Sequence, residues 1–388
     1  MPDQRDCYIG LMSGTSVDAV DAIVARFDSA QGRPEILATH SHPPPTGLRD
    51  ALLGLSGAGQ RLTLLEYGRL DQAVGSWFAE AANAVIDKAA LSADRIAAIG
   101  SHGQTIWHAP DDTRPFSLQI GAAPRIAAET GCSVVADFRN ADIALGGQGA
   151  PLVCAFHAAL FADADTHRVA VNIGGIANIT LLPHQAASDT TAIRGFDTGP
   201  GNGLMDAWIQ RIHGRSHDAA GAWAASGTID DALFEALASE AYFQRPPPKS
   251  TGREYFGLDW LDRHLEALPH APDPADVQAT LCELTAATII DAIERFGPGQ
   301  EALYLCGGGV HNRYLVERIA AWAGPRPVET TGMLGLDPDW IEALAFAWLA
   351  RQRVLGQPGN APGVTGARGL AVLGAWHAAP LPSDAADA

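Results

Sequence analysis

Two strand–turn–strand units constrain the fold more than any other feature of the sequence. Cys7–Met12 is an apolar run, Ser13-Gly14-Thr15-Ser16 is turn chemistry, and Val20–Phe27 returns as a second strand. In the second half, residues 167–173, the turn Gly174-Gly175 and residues 176–182 follow the same order, with a third strand at 192–196. The repetition is one of structure; no solenoid period runs through the residues. Helical spacing of apolar residues covers about 61–90, through Leu64, Leu65, Val74, Trp77, Phe78 and Val85. Residues 96–100 and 116–120 read as short buried strands. Later helices are expected at 203–212, 229–239, 275–296, 311–322 and 338–353, and strands at 301–306 and 326–329. Alternating strands and helices predict an α/β architecture.

A chain of 388 residues accommodates two or three domains. The boundary is expected near 140–165, where Gly146-Gly147-Gln148-Gly149 intervenes. That gives domains 1–145 and 146–388, with the helix near 340–355 packing back on the first.

Charge excludes several functions. The formal net charge is -18, and only Lys88 and Lys249 among the 26 basic residues are lysines. No basic patch marks a nucleic-acid binder, and attraction to an anionic membrane surface is disfavoured. No apolar run is long enough to span a bilayer, and the acidic Met1-Pro2-Asp3-Gln4-Arg5-Asp6 start lacks a signal-peptide core. The five cysteines form no C-x-x-C pair, so neither a disulfide framework nor a cysteine-rich zinc site is expected. A soluble cytoplasmic protein follows. The lysine-bearing P-loop and the protein-kinase, nucleophile-elbow and H-E-x-x-H signatures are all absent.

Three segments give the strongest signals for chemistry, and three further places give weaker ones. Gly14-Thr15-Ser16-Val17-Asp18-Ala19-Val20-Asp21 puts backbone N–H groups and hydroxyls at a hairpin tip, which can cradle phosphate oxygens without lysine. Asp18 and Asp21 could hold Mg²⁺ directly or through water. The same residues also suit an ordinary polar turn. Asp197 in Gly195-Phe196-Asp197-Thr198-Gly199-Pro200-Gly201-Asn202-Gly203 sits at a strand end before a helix, a place for a general base or for a helix N-cap. Cys306-Gly307-Gly308-Gly309-Val310-His311-Asn312 offers close backbone approach to a ligand, although it lacks the third glycine of a dinucleotide fingerprint. Ser101-His102-Gly103-Gln104-Thr105 clusters polar groups at a strand mouth. Lys249-Ser250-Thr251-Gly252-Arg253-Glu254, after three prolines, suits an anion contact or a solvated loop. Glu342 is unusual within the apolar helix that carries Trp340, Phe346 and Trp348.

Taken together and in this order, these segments resemble the anhydro-N-acetylmuramic acid kinase family of bacteria. So do Val135-Ala136-Asp137-Phe138-Arg139 and Gly146-Gly147-Gln148-Gly149-Ala150-Pro151-Leu152-Val153. The resemblance runs from about residue 8 to 378. It implies the actin-like ATPase (ribonuclease H-like) fold of the sugar kinase, heat-shock ATPase and actin superfamily. Such a fold has two α/β domains, each with a five-stranded sheet, and ATP in the interdomain cleft. The implied activity opens the 1,6-anhydro ring of anhydro-N-acetylmuramate and phosphorylates its 6-oxygen with ATP, giving N-acetylmuramate 6-phosphate in cell-wall recycling.

The resemblance further implies Asp197 as catalytic base and residues 14–21 with Gly307, Gly308 and Gly309 as the ATP site. Mg²⁺ would be carried with the nucleotide, with Asp18 as a contact. Glu342, His102 and Gln104 would lie at the sugar, and the protein would be a homodimer. Two positions depart from the family pattern: Ala19 replaces the usual Gly, and Ala122 the usual Asp or Asn. Two other readings stay open: another sugar or carboxylate kinase of the superfamily, and a nucleotide-gated binding protein like actin or the heat-shock ATPases.

Overall fold

The computed structural model describes residues 6–14, 16–27, 33–55, 61–187, 189–252, 255–297, 299 and 301–381. The chain divides into two compact units. The first takes Met1–Phe156, Glu342–Pro362 and Gly366–Ala388; the second takes His157–Ile341 and Gly363–Thr365.

In the first unit, β1 (Cys7–Met12) pairs antiparallel with β2 (Val20–Phe27), which pairs antiparallel with β3 (Pro34–His42). On its other side β1 runs parallel to β4 (Ile96–Ser101). β5 (Gln104–Ala109) and β6 (Phe116–Ile120) form a separate hairpin. β7 (Val134–Ala136) runs parallel to β4. In the second unit, β8 (Arg168–Ile173), β9 (Ile176–Leu182) and β10 (Arg194–Pro200) form an antiparallel meander. β11 (Ala302–Cys306) is parallel to β8, and β12 (Val328–Thr330) is parallel to β11. Both sheets thus place three antiparallel strands beside two parallel ones, in the order third, second, first, fourth, fifth. This is the ribonuclease H-like arrangement of the actin-like ATPases, used twice.

The first sheet departs from the expected five strands. Among the described residues it has a sixth, β13 (Ala375–His377), antiparallel to β7. The unit boundary also differs from 145/146, falling at 156/157, and the chain from 342 largely rejoins the first unit. The physical reason is that the glycine-rich loop is bound in place and links nothing. Asp142, fully buried, accepts from the Gly149 amide at 2.9 Å and from Asn360 Nδ2 at 2.8 Å, and Arg139 Nη1 donates to Gly149 O at 2.8 Å.

The helix Ile341–Val354 packs directly on the first sheet. Gly10 and Gly100 are register partners on β1 and β4. A Cβ on Gly10 would come within 2.7 Å of the Ala347 amide, and one on Gly100 within 2.8 Å of the Phe346 carbonyl carbon. Only residues without side chains let helix backbone meet strand backbone here.

Long helices complete each core. Leu64–Lys88 begins with a full capping box between Thr63 and Glu66 and buries Trp77 and Phe78 in the first unit. Pro274–Phe296 starts at the Asp273 cap and buries an almost continuous apolar set in the second.

Candidate active site

Asp197 sits near the end of β10, where the ladder to β9 shifts register between Asp197 and Gly199. Such a bulge re-aims the side chain of the strand it interrupts. The alternative reading of Asp197 as a helix cap is not met: the helix Asn202–His213 is capped by Gly201. Asp197 is 8 % exposed and held from several sides. The Thr251 amide donates to its Oδ2 at 3.0 Å. Its own amide donates to Lys249 O at 3.3 Å, and Tyr242 Oη donates to its carbonyl at 2.8 Å. A carboxylate fixed by main-chain groups at a strand end suits proton abstraction.

Lys249 does not serve the anion contact considered for it. Lys249 is 5 % exposed, and its ammonium donates to Tyr242 O at 3.2 Å and Phe243 O at 3.4 Å. It also lies 4.7 Å from the Tyr242 ring centroid and 5.5 Å from that of Phe196. Burial, with the nearby Arg295 charge, lowers its pKa to about 8. Lys249 therefore anchors the loop that presents Thr251 to Asp197. Arg253 and Glu254 of the same stretch lie outside the described residues.

The three glycines after β11 have different duties. Gly307 has φ +79°, and a Cβ there would lie 2.5 Å from Asn172 Oδ1 and 2.9 Å from Ile173 O. A Cβ on Gly309 would meet the Ile173 side chain at 2.5 Å. Both are required by packing against the end of β8. Gly308 is exposed, and a Cβ there would meet only Asn202 Nδ2, at 4.0 Å. Gly308 is the member of the three whose backbone stays approachable. The β8–β9 turn is engaged from within: Gly174 O accepts from the Asn202 amide at 2.8 Å, and Gly175 O from the Gly201 and Gly203 amides at 3.1 Å each.

In the first unit, Thr15 lies outside the described residues. Around it, Gly14 and Asp18 are exposed, Ser16, Ala19 and Asp21 partly so, and Val17 and Val20 belong to the core. Val17, at φ +54°, donates its amide to Gly14 O at 3.2 Å. Any ligand contact from Val17 or Val20 is therefore through backbone. Asp18 pairs with Arg49 at 3.0 Å, and Asp21 accepts from Ser41 Oγ at 2.8 Å. Among the described residues, no group of three His, Cys, Asp or Glu side chains could by itself hold a metal ion.

Next to this hairpin, the mouth of β4 carries buried polar groups without partners among the described residues. They are Ser13 Oγ, Ser101 Oγ, His102 Nδ1 and Gln104 Oε1. The residues adjoin one another: Leu11 and Ser101 are register partners, the His102 amide donates to Leu11 O at 3.0 Å, and Gln104 Nε2 donates to Gly14 O at 3.3 Å. Gln104 is 3 % and His102 5 % exposed. Buried polar atoms are normally paired, so this cluster can receive a polar group or water. His102 Nε2 receives Arg139 Nε at 3.2 Å and Nη2 at 2.8 Å. Burial first, and the Arg139 charge second, hold the His102 pKa well below its ordinary value.

Glu342 is partly buried in the first turn of the helix on Gly10 and Gly100. Sequence reasoning placed Ser101 in the polar cluster at the strand mouth, but assigned no ligand role to Ser13 or Arg139. Ser13 and Ser101 were visible as polar residues at the ends of apolar strands, whereas nothing in the spacing of Arg139 points to His102.

The anhydro-N-acetylmuramic acid kinase family model matches residues 6–379. A protein named anhydro-N-acetylmuramic acid kinase from Coxiella burnetii is 49% identical over 377 residues, 97% of this chain and 98% of that one. One of the same name from Xylella fastidiosa is 48% identical over 379 residues, again 97% and 98%. With the doubled sheet, Asp197 fixed at a strand end and the polar mouth of β4, these matches place the chain in the anhydro-N-acetylmuramic acid kinase family.

Proposed function

We propose that this chain is a kinase for 1,6-anhydro-N-acetylmuramic acid that couples hydrolytic ring opening to phosphorylation. Asp197 takes a proton from a water molecule as that water attacks the anomeric carbon. The bond from that carbon to the 6-oxygen breaks, and the freed 6-oxygen takes the γ-phosphoryl group of ATP. The products are N-acetylmuramic acid 6-phosphate and ADP. Ring opening supplies the phosphoryl acceptor, which is why one base serves both events.

The observation that carries this reading is the support of Asp197. Amide donation from Thr251 favours its ionised form, and the backbone contacts hold it in one orientation. In the first unit, Gly14, Ser16 and Asp18 are assigned to the phosphates through exposed backbone and side-chain groups, and Gly308 to the nucleotide through its open backbone. Mg²⁺ held with the nucleotide, with Asp18 as the contact from this chain, would offset phosphate charge. Asp18 fits that role only by loosening an exposed ion pair to Arg49, and such pairs are weak. His102, Gln104 and Glu342 are assigned to the sugar. The unpartnered atoms of His102 and Gln104 supply one donor and one acceptor for it.

No helix among the described residues is long and apolar enough to cross a membrane. Action in the cytoplasm as a homodimer completes the proposal, and sedimentation of the purified protein checks the dimer. The central test is a coupled ATPase assay with anhydro-N-acetylmuramic acid, run in ¹⁸O-water. ATP consumption should require the sugar, and label should appear at the anomeric carbon. Label in phosphate, or turnover without sugar, would show plain ATP hydrolysis.

A further inference from the structure

The contacts of His102 determine its protonation. A guanidinium can only donate hydrogen bonds and does not deprotonate in proteins. Arg139 aims both Nε and Nη2 at His102 Nε2. That ring nitrogen must therefore be an acceptor, and a neutral ring then carries its proton on Nδ1. Nδ1 is buried and makes no well-aligned hydrogen bond among the described residues; the Gly103 carbonyl is the main-chain acceptor facing the ring and favours a proton there. A buried donor with so weak an acceptor, beside the unpartnered Ser13, Ser101 and Gln104 oxygens, suits completion by a ligand. The surroundings keep the ring neutral: Arg139 and His108 are the titratable groups that act on it, and the helix Ile341–Val354 presents the Phe346 ring, 4.7 Å away between centroids.

We infer that Arg139 is a positioning residue for the sugar site, fixing His102 in the tautomer that donates from Nδ1 to an acceptor oxygen of the substrate. This rests on the assignment of His102 to the sugar made above. Arg139 is itself braced by Gly149 O at 2.8 Å, so the buried loop that holds Gly149 also sets the direction of the guanidinium. The arrangement follows the logic of metal-bound histidines, where a partner on one ring nitrogen decides what the other can do.

The test begins with the full-length protein labelled with ¹⁵N-histidine and free of ligand. Long-range ¹H–¹⁵N correlation reads the tautomer, and the His102 signals are those lost in His102→Asn. The expected spectrum shows a protonated Nδ1 and a bare Nε2 across neutral pH, replaced by a mixture in Arg139→Ala. A wild-type spectrum with the proton on Nε2 overturns the inference.

Kinetics supply the second arm. Arg139→Ala should raise KM for anhydro-N-acetylmuramic acid about tenfold or more while leaving that for ATP unchanged. Arg139→Lys keeps the charge without the fork and should follow the alanine variant. Asn at 102 retains an N–H near the Nδ1 place without needing an arginine. In the His102→Asn background, Arg139→Ala should therefore cost less than about twofold. An equal cost in both backgrounds would mean that Arg139 acts on the fold through Gly149, and would overturn the inference. If wild type itself turns over no anhydro sugar, the function proposed above fails, and the tautomer spectrum still decides whether Arg139 sets the state of His102.

Discussion

The main-chain amide of Thr251 donates to Oδ2 of Asp197 at 3.0 Å. An amide can orient a carboxylate without neutralising it, which suits the base proposed above while removing its freedom to turn. Asn in its place can still accept from Thr251 through Oδ1, so the loop should remain seated. Asp197→Asn should keep wild-type melting behaviour and lose turnover by about 10²–10⁴-fold, the usual contribution of a general base. Sugar-dependent ATP consumption and sugar ring opening should fall together. Near-normal turnover would remove Asp197 from the chemistry.

Gly308 and Gly307 are adjacent but should respond differently to alanine. Gly307→Ala places a methyl against Asn172 and Ile173 at a positive φ, and should cost about 1–3 kcal/mol of stability. Gly308→Ala meets open space in the free protein, and its stability should stay within about 0.5 kcal/mol. Its methyl would nevertheless stand at the nucleotide contact proposed above. KM for ATP should rise on the order of tenfold. Melting curves and ATP titrations of the two variants check both halves; unchanged ATP kinetics in Gly308→Ala would leave that backbone without a ligand.

Ala122 replaces a residue that is commonly Asp or Asn in the family. The structure puts it at the N-cap of the helix Ala123–Thr130, with no side-chain cap bond. Pro124 has no N–H to offer, and the Arg125 amide already donates to Ala122 O at 2.9 Å. A polar cap would share that amide and interact with the helix dipole. Ala122→Asn should add about 0.5–1 kcal/mol, seen as a rise in melting temperature, with KM for the sugar unchanged. A fall in that KM without a rise in stability would assign the position to ligand binding.

Parts of this were legible in the sequence because they depend on neighbours in the chain. The strand–turn–strand openings, the long helices and Asp197 before its glycine-rich turn are local patterns. β3 was missed because Glu35, Thr39, His40, Ser41 and His42 break its apolar run. The seat of the helix Ile341–Val354 depends on Gly10 and Gly100, which become neighbours only through the register of two parallel strands. Arg139 on His102 is likewise a contact that no spacing encodes. Lys249 read as an anion contact because lysines are so rare here. Its actual partners, two carbonyls and two rings, come from a helix and a strand that converge only in the fold.

Buried His102 and His157, with partly buried His108, give the fold a pH response near neutrality. Burial lowers His157 to about 3. Burial, then the Arg139 charge, lowers His108 to about 4 and holds His102 well below its ordinary value. Each therefore has a folded pKa below the ~6.5 of an unfolded histidine. Between those values the unfolded chain binds a proton that the folded chain refuses, so stability is full above pH 6.5 and declines as pH falls toward 4. One group changes stability by about 1.4 kcal/mol per pH unit in that window, so three give a slope of about 4. The carboxylates with lowered pKa, such as Asp163 and Asp230, add their loss only near and below their ordinary value of 3.8. The two effects are thus separated in pH. Urea midpoints measured from pH 7.5 to 4.5 should fall steeply below 6.5. His157→Asn, which keeps a polar atom near the Thr180 hydroxyl now 2.8 Å from Nδ1, should flatten that slope by about a third. A midpoint that stays level down to pH 5 would mean that these rings are charged in the folded protein. That result would also be incompatible with Arg139 donating to His102 Nε2.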